Sequence, residues 1–270
     1  MIIDFHTHVF PEKIASATVS ALAKRANIPP YTDGTEAGLL HALSEARADV
    51  AVNLPVLTKP TQFESVTSFA REINEKSYTG GAKIISFAGI HPDMPDACER
   101  ICELRALGFK GIKIHPDYQG VPFDDERYVR IAEAARDEGL ILVTHAGLDA
   151  AYVGEPIMCT PKSVLRLLDR IGGYPRLVLA HFGGNELFDE VYELLAGEDL
   201  YFDTAYILGG IGKERFGRML EKHGDGKILF ATDSPWQSIR SNVETIRSFG
   251  LERETEEKIF SSNARKLLGI

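Results

Sequence analysis

Short apolar runs alternate with amphipathic stretches of helical period along the whole chain. Eight runs read as strands: Ile2–Phe5, Asp49–Asn53, Lys83–Ile90, Phe109–Ile114, Leu140–Thr144, Arg176–Ala180, Leu200–Thr204 and Lys227–Thr232. The stretches between them read as helices. Thr160-Pro161 starts one as N-cap and first-turn proline. Its apolar stripe is Val164, Leu165, Leu168 and Ile171, and Gly172-Gly173 ends it. Ser234-Pro235 starts another, with Ile239, Val243 and Ile246 inward and Gly250 at its end. Pro11–Ala48 is long enough for two helices that partly cover the barrel mouth. Glu254–Leu268 reads as one or two closing helices. Strands alternating with helices imply parallel pairing through crossovers. Eight such units imply a closed (β/α)8 barrel, a TIM barrel, forming one α/β domain over residues 1–270.

Six of the eight histidines stand where a predicted strand runs out. They are His6 and His8, His91, His115, His145 and His181, and the eighth strand ends the same way in Asp233. In a barrel the C-terminal strand ends converge, which is where such enzymes place their chemistry. Side chains alternate faces along a strand. Ile112 and Ile114 then face the helices, and Lys113 and His115 point inward. By the same count Ile3 and Phe5 face outward, and Asp4, His6 and His8 inward. A two-residue spacing aims both imidazoles of His6-Thr7-His8 at one point. Imidazoles and a carboxylate gathered there describe a divalent metal centre.

The ordered stretches Ile-Asp-Phe-His-Thr-His, Gly-Phe-Lys-Gly-Ile-Lys-Ile-His-Pro, Val-Thr-His-Ala-Gly, Ala-His-Phe-Gly-Gly and Ala-Thr-Asp-Ser-Pro-Trp resemble the amidohydrolase superfamily. Within it they resemble the amidohydrolase-2 branch of metal-dependent hydrolases and decarboxylases. The likeness runs from Ile2 to Leu268 and includes the closing Asn263–Leu268 segment. It implies that His6, His8, His145 and Asp233 hold a divalent metal, with zinc expected. It implies that Asp233 shuttles the proton and that His181 polarises substrate or water, or ligates a second ion. In two-metal relatives an inward lysine on the fourth strand is often carboxylated and bridges the ions, and Lys113 stands there. Its other readings are a partner for a substrate carboxylate and an ion pair with Asp4. His91 and His115, each before a proline, either line the pocket or cap loops. Trp236, Asn53, Thr204 and Tyr206 are further pocket candidates. Gly183-Gly184-Asn185 is either an anion-binding turn or a plain connection, with the latter favoured.

The resemblance implies hydrolysis of an amide, lactone or ester in a small carboxylated molecule by metal-activated water. Non-oxidative decarboxylation of an unsaturated or aromatic acid, or a related hydration, is the alternative. Lys113 and the length of 270 residues favour hydrolysis. The superfamily's deoxyribonucleases carry glutamate at the position of Lys113, which sets them aside. The net charge of −9, without a basic stripe, argues against nucleic acid and anionic membranes. Three cysteines without finger spacing read as reduced thiols. A cleaved leader would remove His6 and His8, so a cytoplasmic protein is expected. A homo-oligomer is compatible with these features.

Overall fold

The computed structural model describes residues 1–78 and 81–270. Among the described residues nine short parallel strands run in chain order: β1 Ile3–Thr7, β2 Val50–Asn53, β3 Lys83–Ser86, β4 Ala88–Gly89, β5 Gly111–Ile114, β6 Ile141–Thr144, β7 Leu177–Leu179, β8 Tyr201–Asp203 and β9 Ile228–Leu229. Each pairs with its sequence neighbour in β1-β2-β3 and in β4 through β9. The predicted third strand is therefore interrupted at Phe87, whose N–H turns to the Asn53 carbonyl (2.9 Å). Hydrogen bonds from Phe5 N to Phe230 O (2.9 Å) and from Asp233 N to His6 O (2.8 Å) join the last strand to the first.

Two apolar shells sit on either side of this ring. Ile112, Ile114, Leu142, Leu177 and Phe202 pack with the helices. Val50, Val52, Phe87, Ile141, Val143, Val178, Leu229 and Ala231 form a separate inner cluster. Lys113 is 1 % exposed and lies in the interior, as strand parity requires. Parity fails in β1. Ile3 and Phe5 belong to the inner cluster, and Asp4 bonds the Thr232 amide instead of facing the mouth. The cause is a break in the β1–β2 register between Asp4 and Thr7. One extra residue on β1 reverses the facing of the residues after it, so His6 and His8 reach the interior behind Phe5.

The helix Pro161–Ile171 is capped as expected, with the Thr160 hydroxyl accepting from Ser163 N (3.2 Å) and Gly172 at φ 73°. The helix expected to start at Ser234-Pro235 starts later, at Ile239, because Ser238 supplies the cap. Ser234 instead bridges to Thr7, extending the seam between the ends of the ring. Glu12–Ala26 and Glu36–Ala46 are the two early helices. The first lays Arg25 over the Tyr152 ring at 4.2 Å and so covers part of the mouth beside β6. The tail forms the helices Arg253–Glu257 and Asn263–Leu268 around a π-turn, Lys258–Ser262. That turn leaves the Ile259 carbonyl free for Phe230 N (3.0 Å), and Ala264, Leu267 and Leu268 join the inner cluster.

One half-buried histidine links the fold to pH. His223 Nδ1 accepts from Gly197 N–H (3.1 Å) and Nε2 donates to Leu200 O (3.2 Å), an arrangement of the neutral ring. Burial lowers its pKa to about 4. An unfolded histidine titrates near 6.5. Between those values the unfolded chain binds the extra proton, so stability falls as pH drops from about 6.5 towards 4. The loss is on the order of 1–2 kcal/mol after discounting for partial exposure. Thermal melts at pH 7 and pH 4.5 should show a smaller pH-dependent drop for His223→Gln than for wild type. Equal drops would refute this role for His223.

Candidate active site

Bare nitrogen and oxygen atoms meet at the mouth. His6 Nδ1 bonds Asp203 Oδ2 (2.8 Å), and His8 Nδ1 bonds the Leu54 carbonyl (2.9 Å). A carbonyl only accepts, so His8 carries its proton on Nδ1 and turns a lone pair on Nε2 inward. Asp203 orients His6 in the same way. His6 Nε2 lies 3.2 Å from His8 Nε2 and 3.4 Å from Asp233 Oδ1, and His8 Nε2 lies 3.0 Å from that oxygen. A tetrahedral ion with bonds of about 2.0–2.2 Å separates its donors by roughly 3.3–3.6 Å. The three atoms stand 3.0–3.4 Å apart, at or slightly inside that range, and their donor types suit a divalent transition metal.

Burial dominates the electrostatics. It pushes His6, His115 and His145 well below the usual imidazole range, with Lys113 adding to the effect at His6 and His115. Burial also brings Lys113 down to about 8, against the pull of Asp203 and Asp233. At Asp233 burial opposes the charge, but the surrounding imidazoles prevail and hold it below the ordinary carboxylate value. Asp233 sits at φ 64°, in left-handed backbone, as does His181 at φ 57°. Such conformations cost energy and concentrate at functional sites.

His145 stands apart from the first three donors. Its Nδ1 lies 2.9 Å from His181 Nε2, and its ring stacks on His115 at 4.1 Å. The expected four-ligand set is thus divided: His6, His8 and Asp233 form one group, and His145 falls in another with His115 and Asp149. Lys113 Nζ lies 3.4 Å from His6 Nε2. Among the described residues no carboxylate lies within 4.0 Å of it, so the Asp4 ion pair is not formed.

Other candidates have structural partners. His91 Nδ1 caps its own loop by accepting from Asp93 N (3.2 Å). The Asn53 side chain accepts from Val9 N and donates to Ser86 Oγ, and Thr204 Oγ1 bonds the Ala231 carbonyl. The amides of Gly183, Gly184 and Asn185 are spent on Ala180, His181 and Ala146, so that turn is a connection and not an anion cradle. Tyr206, at φ 65°, and Trp236 remain beside the mouth, Trp236 through its N–H to the Asp233 carbonyl (2.9 Å). Sequence reasoning missed Asp203, although an acid on an apolar strand at inward parity is a readable signal. Asp117 and Asp149 lie in connections, where no pattern marks them.

Comparison with known proteins places the chain in a family. Residues 3–270 match the amidohydrolase family model Amidohydro_2, and the chain belongs to that family. No curated protein matches the sequence. Among solved structures it resembles 5-carboxyvanillate decarboxylase from Sphingomonas paucimobilis (TM-score 0.71, 17% identity, covering 100% of this chain and 99% of that one). It resembles 2,6-dihydroxybenzoate decarboxylase from Rhizobium similarly (TM-score 0.71, 17% identity, 99% and 98% covered). A third is a probable 2-pyrone-4,6-dicarboxylic acid hydrolase from Acinetobacter baumannii (TM-score 0.68, 15% identity, 100% and 99% covered). These likenesses confirm the barrel fold. Among the described residues no helix is long and apolar enough to cross a membrane.

Proposed function

We propose that the protein is a metal-dependent hydrolase that cleaves an amide, lactone or ester in a small carboxylated molecule. The observation that carries this reading is the state of Asp233: a carboxylate held ionised, 3.0 Å from His8 Nε2, at the point where three donors converge. A divalent metal held by His6, His8 and Asp233, with zinc expected, would supply Lewis acidity and lower the pKa of water to about 7. Asp233 accepts the proton of the attacking water and passes it to the leaving group. Lys113, protonated below about 8, offers a buried cation for the substrate carboxylate. His181 holds its Nδ1 proton on the Ala205 carbonyl (2.9 Å) and with His145 forms a pair that takes up developing charge.

Decarboxylation of an unsaturated or aromatic acid is the second reading, supported by the two decarboxylases whose folds match along nearly their whole length. That coverage also removes chain length as an argument for hydrolysis. There the metal would hold the substrate, and His181, or Asp233 after first taking a proton from water, would pass a proton to the carbon that loses CO2. Incubating the purified enzyme with lactone, amide and unsaturated or aromatic acid panels separates the two. Acid release without CO2 supports hydrolysis; CO2 release overturns it in favour of decarboxylation. A small-molecule substrate and a cytoplasmic setting complete the proposal.

A further inference from the structure

Beside the mouth a cation is held in place with most of its donors unspent. Arg25 stands in the last turn of the helix Glu12–Ala26. Its guanidinium lies 4.2 Å from the centre of the Tyr152 ring and 5.8 Å from that of Tyr118. Its Nε donates to the Ala151 carbonyl (3.4 Å), and among the described residues that is its one hydrogen bond. Stacking occupies a face of the guanidinium and leaves the Nη edge, the fork that grips a carboxylate, without a partner. Asp149, the acid of the loop that carries Tyr152, is engaged elsewhere. Its Oδ1 accepts from Ala151 N (2.7 Å), and its Oδ2 lies 3.3 Å from His115 Nε2.

The rings beneath Arg25 lead inward. Tyr152 meets Tyr118 edge-on at 5.3 Å, and Tyr118 meets His115 edge-on at 4.4 Å. His115 follows the end of β5, two residues after the buried Lys113. Burial, and after it Asp149, push the Tyr118 phenol above its usual range, with a smaller push from Asp233, while Arg25 pulls it back. That ring therefore shares the space of the acids at the mouth. Tyr206, just beyond β8, is raised by burial and then by the same two acids, Asp233 and Asp149. The mouth thus combines aromatic rings with carboxylates. An anion heading for Lys113 must pass Asp149, whose side chain is 15% exposed. Arg25, exposed at the rim, is placed to offset that repulsion.

We propose that Arg25 is a specificity-determining residue that binds a second carboxylate of the substrate, at the end away from the reacting bond. The substrate class is then a flat dicarboxylate whose body lies along the Tyr118 and Tyr152 rings. This deepens the proposed function and rests on its assignment of the mouth to a small carboxylated molecule. Stacked on two rings, the guanidinium is ordered before the ligand arrives, so less side-chain freedom is lost on binding. Arg25 is remote from the donors at His6 and Asp233, so it adds binding that is equal in ground state and transition state.

The test is calorimetric titration of the full-length protein, loaded with zinc chloride, with monoacids and diacids of matching shape. Benzoate is paired with isophthalate and terephthalate, and cinnamate with para-carboxycinnamate. In wild type at least one diacid should bind about tenfold more tightly than its monoacid, the scale of a charged hydrogen-bonded contact at a partly exposed site. Arg25→Met keeps the stem on the tyrosines and removes the fork. It should abolish the diacid preference and leave monoacid affinity unchanged, and Arg25→Lys should retain part of the preference. Tyr152→Leu, which removes the supporting ring, should reduce the preference as well and decides the matter if Arg25→Met fails to fold. On a diacid that the enzyme turns over, Arg25→Met should raise KM and spare kcat. The proposal is overturned if wild type shows no diacid preference, if the preference survives Arg25→Met, or if monoacids and diacids weaken equally. Turnover of a diacid by hydrolysis with KM indifferent to Arg25 would strike this inference alone. An Arg25-dependent preference without hydrolysis of any panel member would strike the proposed hydrolysis and leave the subsite standing.

Discussion

Asp233→Asn lowers kcat by about 10²–10⁴-fold on whichever substrate the wild type turns over, the range of a lost general acid–base. The amide keeps the size of the side chain and one oxygen near His8, but it cannot accept the water's proton. The fold should survive the change. Asp233 adopts φ 64°, a conformation that asparagine tolerates well, and its N–H bond to the His6 carbonyl (2.8 Å) involves only backbone. The melting temperature should therefore stay close to wild type while turnover collapses. Wild-type turnover in a folded Asp233→Asn protein would remove the residue from the mechanism under either reading of the reaction.

Loss of the metal is the second large effect. His6→Ala/His8→Ala removes two of three donors that stand 3.0–3.4 Å apart, and the ion at that group should be absent after desalting. Asp203→Asn is the milder companion. It touches no ion but weakens the carboxylate grip on His6 Nδ1 (2.8 Å), and such orienting partners typically contribute 10–100-fold in metal affinity. Titration of chelator-treated protein, read as metal retained per chain, gives both numbers. A double alanine variant with its full metal content would show that the ligands lie elsewhere.

The enzymes whose folds match this one illustrate how little the scaffold constrains the reaction. Decarboxylases and a pyrone hydrolase share the barrel at 15–17% identity. Reaction type is set by a few side chains at the mouth. Under the proposed hydrolysis, the side chains that would matter most in this chain are Asp233 and the buried Lys113.

The barrel was legible in the chain because its signals are local. Apolar runs of strand length, capped helices such as Pro161–Ile171, and histidines at strand ends each depend on a few neighbouring residues. Parity placed Lys113 correctly because β5 keeps an unbroken register with β6. It misplaced Ile3, Phe5 and Asp4 because the bulge in β1 is a property of its pairing with β2, a strand far away in sequence. Tertiary structure alone decided how the histidines divide. His145 turns to His181, whose own ring is held by the Ala205 carbonyl, and stacks on His115, and neither partner is near it in sequence. Asp203 meets His6 Nδ1 through the same convergence. Residue types and strand order were thus written in the chain, while ligand grouping came from the closure of the ring, which brings distant strand ends within a few ångströms.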